Sequence, residues 1–416
     1  MKYIQTKQIP VAIALSLSGL ATAGTEITPA PPAKESNNGD FCEWLQNKPG
    51  ILYKNTDNPF IQEVQIEGRL HYQYAHVQGE DLNGSDFHAD YDDVRRFRVG
   101  LKAKFLQYFG LKYQVNLVAD RTPFTGDLKW GYQSIDEAYV SFNLGKALGN
   151  NSTFDSLSLV YGRQKFLFGT EAHSSSNKLH TIERSALSNK IHGSYRPTGL
   201  TVKGKKDDWQ FAASIYSSTR DGLANEELNG WQDTYSILLN FAYQANDQLL
   251  IRSDFSYNDA DLTEDTIMGY EWAIGFGAEY DAGSWGLLAD VVYGDNGDSS
   301  NTPAPALEGS FYAFQITPWM WLIKDKLELV GQYQYQGSDE GAGVRINSRY
   351  GRSFSSPIAA IASGRGDSHH SLYGGLNYYV CGHNAKIQAG IEYQTLDAIG
   401  GDIDTLTYLV ALRTSF

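Results

Sequence analysis

From Phe97 to Phe105 every second residue is apolar: Phe97, Val99, Leu101, Ala103 and Phe105. Between them stand Arg96, Arg98, Lys102 and Lys104, with Gly100 in the middle. After a break at Gln107–Gly110 the alternation resumes, with Leu111, Tyr113, Val115 and Leu117 set against Lys112, Gln114 and Asn116. A period of two is the mark of a β-strand, whose successive side chains point to opposite faces. Four cations on one strand face cannot enter an apolar core, because unpaired buried charge costs too much. That face must meet water while the other meets something oily. The wall of a transmembrane β-barrel with a wet interior satisfies both demands.

The same pattern recurs along the chain in segments of about the length that a tilted membrane-spanning strand needs. It predicts strands near 64–75, 94–105, 111–120, 133–143, 156–164, 193–204, 209–217 and 233–243. Others follow near 249–258, 270–280, 285–294, 309–317, 327–336, 370–380, 385–395 and 405–416. The predicted fold is therefore all-β: a 16-stranded antiparallel transmembrane barrel, the even strand number that single-chain barrels of this class have. Tight turns at Gln107–Gly110, Lys205–Asp208, Ala245–Gln248, Asp281–Ser284 and Cys381–Asn384 alternate with longer loops near 78–92, 218–232, 259–268, 295–308, 337–369 and 396–404. Short connections on one side and long ones on the other, with both termini on the short side, belong to outer-membrane barrels.

The N-terminus carries Lys2 and Lys7, an apolar stretch from Ile9 to Leu20, and Ala21-Thr22-Ala23 before Gly24. This reads as a signal peptide over 1–23. Residues 24–60, with Pro29, Pro31 and Pro32, read as a loose periplasmic leader, and the barrel as 61–416. No apolar run is long enough for a spanning helix. The last strand ends on Phe416, in register with its apolar face, and resembles the terminal signal by which barrel assembly machinery recognises its substrates. The only cysteines, Cys42 and Cys381, fall in the leader and in a periplasmic turn, and a disulfide between them is expected in an oxidising periplasm.

Composition narrows this picture. Hydrophobic residues make up 42% of the 416, and mean hydropathy is −0.38, values that look soluble but suit a wall with one wet face. The 27 Tyr, 19 Phe and 8 Trp fit strands and interfacial aromatic girdles. A net charge of −14, made more acidic by loss of Lys2 and Lys7, disfavours nucleic acid as a partner.

Candidate chemistry centres on Gly162–Lys190, a polar stretch without strand alternation, holding Arg163, Lys165, Lys178, Arg184, Glu171 and Glu183. Long irregular connections are usually functional. Here the residues resemble the phosphate-selective porins, the O and P porins. The resemblance runs through Arg95-Arg96-Phe97-Arg98-Val99-Gly100, Asp136-Glu137-Ala138-Tyr139-Val140, Gly162-Arg163-Gln164-Lys165, Gly169-Thr170-Glu171, Ile182-Glu183-Arg184-Ser185 and Arg196-Pro197-Thr198-Gly199. It implies a homotrimeric channel in the outer membrane, held in its lipid, whose third external loop folds inward as a constriction. It also implies passage of small phosphate-like anions along Arg and Lys, with Arg96 and Arg98 on the inner wall and Lys165 and Arg184 on the constriction loop. Independently of any family, Arg suits such work because its planar fork pairs two anion oxygens. The candidate pore-lining set is Arg96, Arg98, Lys102, Lys104, Arg163, Lys165, Lys178 and Arg184. The competing reading is a balanced lumen in which these pair with carboxylates such as Glu67 and Asp136.

Acidic residues at Glu80, Asp81, Asp86, Asp90, Asp92 and Asp93, and again at Asp259, Asp261, Glu264 and Asp265, favour a general or cation-leaning porin as the runner-up. A plugged adhesion barrel is the third class. Gly199–Lys205 matches G-x-x-x-x-G-K, but Lys206 stands where Ser or Thr should bind magnesium, so the strand reading wins. Arg365-Gly366-Asp367 with His369 and His370 matches an adhesion tripeptide and a metal-like pair, both common by chance. No G-x-S-x-G or H-E-x-x-H motif occurs. Neither an enzyme nor a cofactor or metal site is expected.

Overall fold

The computed structural model describes residues 39–118, 131–149, 153–191, 196–218, 234–259, 268–297, 308–346, 349–351, 365–398 and 400–416. Sixteen wall strands follow one another in chain order. They are β1 (Ile61–Glu80), β2 (Asp86–Phe105), β3 (Phe109–Asn116), β4 (Ser134–Asn143), β5 (Ser156–Arg163), β6 (Thr198–Lys206), β7 (Trp209–Ser217) and β8 (Tyr235–Asn246). Then come β9 (Leu249–Asn258), β10 (Trp272–Asp281), β11 (Trp285–Asp295), β12 (Ser310–Ile323), β13 (Leu327–Ser338), β14 (Arg365–Tyr379), β15 (Ala385–Ala398) and β16 (Gly401–Ser415). Each pairs antiparallel with its neighbours, and β16 pairs with β1 to close the cylinder. Closure is what lets a sheet sit in lipid, since no open edge of unpaired N–H and C=O is left.

Alternation sorts the two faces as the sequence demands. Val99, Leu101, Tyr113, Phe241, Phe276, Leu372 and Val410 are exposed on the outside. Arg98, Gln114, Asp254, Gln332 and Arg413 are buried on the inside. No described helix is long and apolar enough to cross a membrane.

The sixteen predicted strands are all present, but several run longer. β1 and β2 have 20 residues each, about twice what a bilayer needs, and the turn between them is only Asp81–Ser85. The expected 78–92 loop is thus mostly a protruding hairpin, because its ladder continues from His76↔Asp90 to Glu80↔Asp86. Strand pairing beyond the membrane needs only hydrogen bonds, not lipid, and leaves no hydropathy signal.

Two ladder irregularities redirect side chains. Opposite the single residue Tyr72, β2 inserts two, Val94 and Arg95, between the pairs His71↔Arg96 and Gln73↔Asp93. A one-residue bulge reverses the facing of everything beyond it. Below it Arg96 and Arg98 face inward; above it Arg95, Asp93 and Tyr91 do, while Asp90 and Asp92 turn to the outside. In β4, Asp136 is the extra residue between Gln114↔Glu137 and Val115↔Ile135, so Asp136 and Glu137 are both buried inside.

Of the segment read as a loose leader, residues 39–60 are described and carry regular structure. Helix α1 (Gly39–Gln46) packs Cys42 and Leu45 against Cys381, Val380 and Ala385, and Cys42 and Cys381 are disulfide-bonded with Cα atoms 5.1 Å apart. A short strand, Ile51–Lys54, pairs with β1 at Glu63–Gln65. It takes the place where β16 stops, since Phe416 pairs with Gly68 and the Ile66 N–H donates to the Gly50 carbonyl. This short strand blunts the one stretch of β1 that the C-terminal strand leaves unpaired. The Phe416 ring lies over Gly68, where an added Cβ would come within 2.3 Å of it. The proposed signal peptide lies outside the described residues. The disulfide closes a loop of 339 residues, which in the chain-entropy picture stabilises by on the order of 5 kcal/mol. Cys381→Ser should therefore lower the temperature at which heat-modifiable gel mobility is lost, and the unreduced, denatured wild-type chain should take up no thiol reagent; labelling of both cysteines would refute the bond.

Candidate functional site

At Arg163 the chain leaves the wall and enters the barrel, returning at Thr198. The backbone turns at Gly169, whose φ of 78° suits glycine. Its N–H donates to Asp254 on β9 at 2.8 Å, and Thr170 donates to Asp290 on β11 from its N–H at 2.9 Å and its hydroxyl at 2.5 Å. These two carboxylates thus fix the start of the short helix α2 (Thr170–His173). The segment then crosses to the far wall. His180 pairs with Glu328 on β13 at 2.8 Å and stacks on Trp319, Lys386 on β15 donates to the Leu179 carbonyl at 2.6 Å, and Arg413 on β16 donates to the Ile182 carbonyl at 2.5 Å.

On the way back Arg184 donates to the Glu171 and Ser174 carbonyls, while the Ser185 N–H and hydroxyl donate to the Glu171 carboxylate at 2.9 and 2.6 Å. Residues 171–185 are thereby tied into a ring. Phe166, Phe168, Leu187 and Ile191 pack with Tyr216, Leu238 and Phe311 into a small apolar core inside the barrel. The segment is therefore fixed at its base by packing and across its span by hydrogen bonds from side chains of the wall.

The charged groups gather beside it. Arg98 donates to Asp136 at 2.9 Å and to Asn116 at 2.6 Å, and Arg196 donates to the other Asp136 oxygen at 3.1 Å. Arg95 makes a bidentate pair with Glu183, at 2.8 and 3.2 Å. Although burial alone would raise it, Arg95 and Arg96 hold the Glu183 carboxyl below its ordinary value. Lys112 pairs with Glu137 at 2.5 Å, and Lys165 stands 3.7 Å from the same carboxylate. Burial draws the Lys165 ammonium down to about 7, against the opposing pull of Glu137. Nearer the periplasmic end Lys102 pairs with Glu67 and Lys104 with Glu63.

A second segment dips inward above the first. Arg349 donates to Asp93 at 2.8 Å, and the Tyr350 hydroxyl donates to Asp93 and accepts from Gln73, which also donates to Glu183. One hydrogen-bonded chain thus joins wall, first segment and second segment.

Of the eight predicted pore-lining cations, Arg96, Arg98, Lys102 and Lys104 lie on the inner face of β2, Arg163 ends β5, and Lys165, Lys178 and Arg184 ride on the inward segment. They do not form one row. Arg184 serves backbone carbonyls, whereas Lys178 is exposed on the segment's surface. Sequence reading did not place Arg69, Arg95, Arg196 or Arg413 among the lumen cations. Arg413 could have been found by its phase between outward Leu412 and the polar face, but Arg95 could not, since only the bulge turns it inward. Asp86, Asp90 and Asp92 belong to the outer face of the hairpin; the Tyr74 hydroxyl donates to Asp90 at 2.6 Å. Asp261, Glu264 and Asp265 lie outside the described residues. Among the described residues no metal-binding cluster occurs.

This architecture recurs in known channels. The outer membrane channel DcaP of Acinetobacter baumannii superposes with a TM-score of 0.55 at 15% identity, covering 88% of this chain and 100% of that one. An anion-selective porin from Comamonas acidovorans gives 0.54 at 11%, covering 85% and 99%. Salmonella typhi OmpF, in complex with daunomycin, gives 0.55 at 14%, covering 88% and 100%. At such identities the likeness is one of fold. Sequence likeness adds to this: residues 64–266 match the family model described as phosphate-selective porin O and P. Over this region the chain is similar in sequence to that family. No curated protein matches it in sequence. The family match and the barrel fold imply a channel rather than an enzyme.

The buried pairs make a sharp prediction. Asp136→Ala leaves Arg98 and Arg196 without their carboxylate and should destabilise the folded barrel by about 3 to 5 kcal/mol. Glu63→Ala, which frees the solvent-facing Lys104, should cost about 1 kcal/mol or less. Urea-unfolding midpoints in lipid vesicles measure both; equal effects would mean the Asp136 cluster is as wet as the rim.

Proposed function

We propose that the protein is a passive outer-membrane channel for small hydrophilic solutes that prefers anions such as phosphate, assembled as a homotrimer. The observation that carries this reading is the imbalance of charge around the inward segment. On β1–β5 and that segment, Arg69, Arg95, Arg96, Arg98, Lys112, Arg163, Lys165, Lys178, Arg184 and Arg196 outnumber Glu67, Asp93, Asp136, Glu137, Glu171 and Glu183. A permeating anion sheds part of its hydration shell at a constriction, and fixed guanidinium and ammonium groups replace it. The family match and the anion-selective structural relative support the same preference. The outward turn of Asp90 and Asp92 removes acid from the mouth of the pore. Export through the 1–23 signal, residence in outer-membrane lipid and recognition of Phe416 by assembly machinery complete the reading.

A general or cation-leaning porin is the second reading, favoured by the pairing of Arg98, Lys102 and Lys104 with Asp136, Glu67 and Glu63. Zero-current potentials across a planar bilayer in a KCl gradient separate them. Anion preference is expected, with a larger potential at about pH 5 than at about pH 9, because Lys165 is protonated below about 7 and loses its charge above it. Its neighbours Glu137, Asp136, Arg196 and Lys112 are the other charges that bear on this site. Lys165→Arg should flatten the pH dependence. A cation-selective potential at both pH values would overturn the proposal, and the absence of conductance would favour a plugged adhesion barrel.

A further inference from the structure

The place where helix α1 meets the wall follows from the ladder between β14 and β15. Tyr378 stands opposite Ile387 there, and Tyr379 opposite Lys386. Tyr379 and Lys386 are buried on the lumen side, where they donate to Glu328 and to the Leu179 carbonyl of the inward segment. Tyr378 and Ile387 are 46% and 44% exposed on the outer face. The ladder runs one step further, since the Val380 N–H donates to the Ala385 carbonyl. Alternation returns Val380 and Ala385 to the outer face, next below Tyr378 and Ile387. Cys42 and Leu45 of α1 pack with these two residues. The helix therefore lies at the periplasmic foot of the lipid-facing surface, not in the mouth of the channel.

Each residue of an α-helix is turned by about 100° from the one before. With Cys42 and Leu45 against the wall, Phe41 and Trp44 fall to one side of that contact, and Glu43 and Gln46 to the other. The Gln46 side faces the turn, because a Cβ on Gly382 would lie 3.4 Å from the Gln46 amide nitrogen. Gly382 sits in the periplasmic connection between β14 and β15. Phe41 and Trp44 are thus turned away from that tip and toward the bilayer. Both rings are open, at 59% and 56% exposed, and lie 6.0 Å apart in one patch. On the wall above, Leu376, Tyr378, Ile387 and Leu412 are exposed on the outer face and continue the same apolar surface.

We propose that α1 is an interfacial anchor, which lays Phe41 and Trp44 into the headgroup boundary of the periplasmic leaflet. The inference rests on the reading of the wall as a membrane barrel. Aromatic side chains with an apolar body favour that boundary, and a helix with one apolar and one polar side lies flat in it. Eight residues are too few to hold a helix in water, so its order must come from what it packs on. The wall and the Cys42–Cys381 bond supply one side of that support, and lipid supplies the other. The disulfide thereby sets the depth at which the two rings meet the bilayer, and the helix stands clear of the pore exit.

The test places photoreactive benzoylphenylalanine singly in place of Phe41, Glu43, Trp44 or Gln46 in the full-length protein, and in place of Tyr378 as a reference on the lipid-facing wall. Each protein is reconstituted into vesicles of phosphatidylethanolamine and phosphatidylglycerol, irradiated, and analysed intact by mass spectrometry. Phospholipid adducts are expected from the Phe41 and Trp44 positions at a yield like that from Tyr378, with loss of the adduct at Glu43 and Gln46. Adducts from Tyr378 with none from Phe41 or Trp44 overturn the anchor and leave the barrel standing. No adduct from Tyr378 either overturns the membrane barrel, and the anchor with it. Cross-linking of the Phe41 or Trp44 position to a protein in isolated outer membranes assigns the patch to a protein partner and overturns the lipid reading. A second measurement follows amide hydrogen exchange of α1 in the same vesicles. Phe41→Ser/Trp44→Ser should speed it by about tenfold or more, the effect of one aromatic side chain losing its cover, while conductance keeps its wild-type value. Unchanged exchange overturns the proposal.

Discussion

Charge in this wall can go only inward. A sheet in lipid must close to pair its backbone, and once closed it has an oily side and a wet side for every strand. The free energy of placing a guanidinium among acyl chains fixes the phase of β2 more firmly than any pairing preference. Arg96 and Arg98 inside, with Val99 and Leu101 outside, then orient β1 and β3 through their ladders. The rest of the cylinder inherits that choice strand by strand.

The lumen is shaped by breaking this regularity at two places. The bulge at Val94-Arg95 and the extra residue Asp136 each put two neighbouring charged side chains on the inner face, which strict alternation forbids. Arg95 gains Glu183 and Asp136 gains two arginines, so each bulge creates an attachment point where the inward segment meets the wall. The segment is held at its start by Asp254 and Asp290, along its span by Glu328, Lys386 and Arg413, and at its return by Gln334. A segment fixed at so many points keeps its charges in register with the wall.

Much of this was legible in the residues. Strand number, the side of the tight turns and the outward phase of Phe97 to Phe105 follow from alternation, and its interruption marked the stretch after Arg163, whose inward course was implied by the resemblance to the O and P porins. What was hidden depends on pairing between distant strands. The protruding β1–β2 hairpin looked like a loop because pairing in water needs no apolar face. Strict alternation would turn Arg95 outward beside inward Arg96, and a bulge leaves no trace in one strand read alone. Asp90 and Asp92 looked like a vestibule for the same reason. Arg196 and Glu183 acquire their roles only when the returning segment is set against β2 and β4, a contact that local sequence does not encode.

The phase slip in β2 is the point at which the account is most exposed. Nitroxide labels placed singly from Asp92 to Phe105, in the protein reconstituted into lipid vesicles, report whether each site collides with oxygen in acyl chains or with a polar nickel chelate in water. Positions 97, 99, 101 and 103 should favour oxygen and 96, 98 and 102 the chelate, with the alternation slipping by one residue at 94–95 so that 93 and 95 read as lumen. Unbroken alternation through 94–95 would remove the bulge and the Arg95–Glu183 attachment with it. The opposite phase at 96–99 would contradict the barrel as a whole.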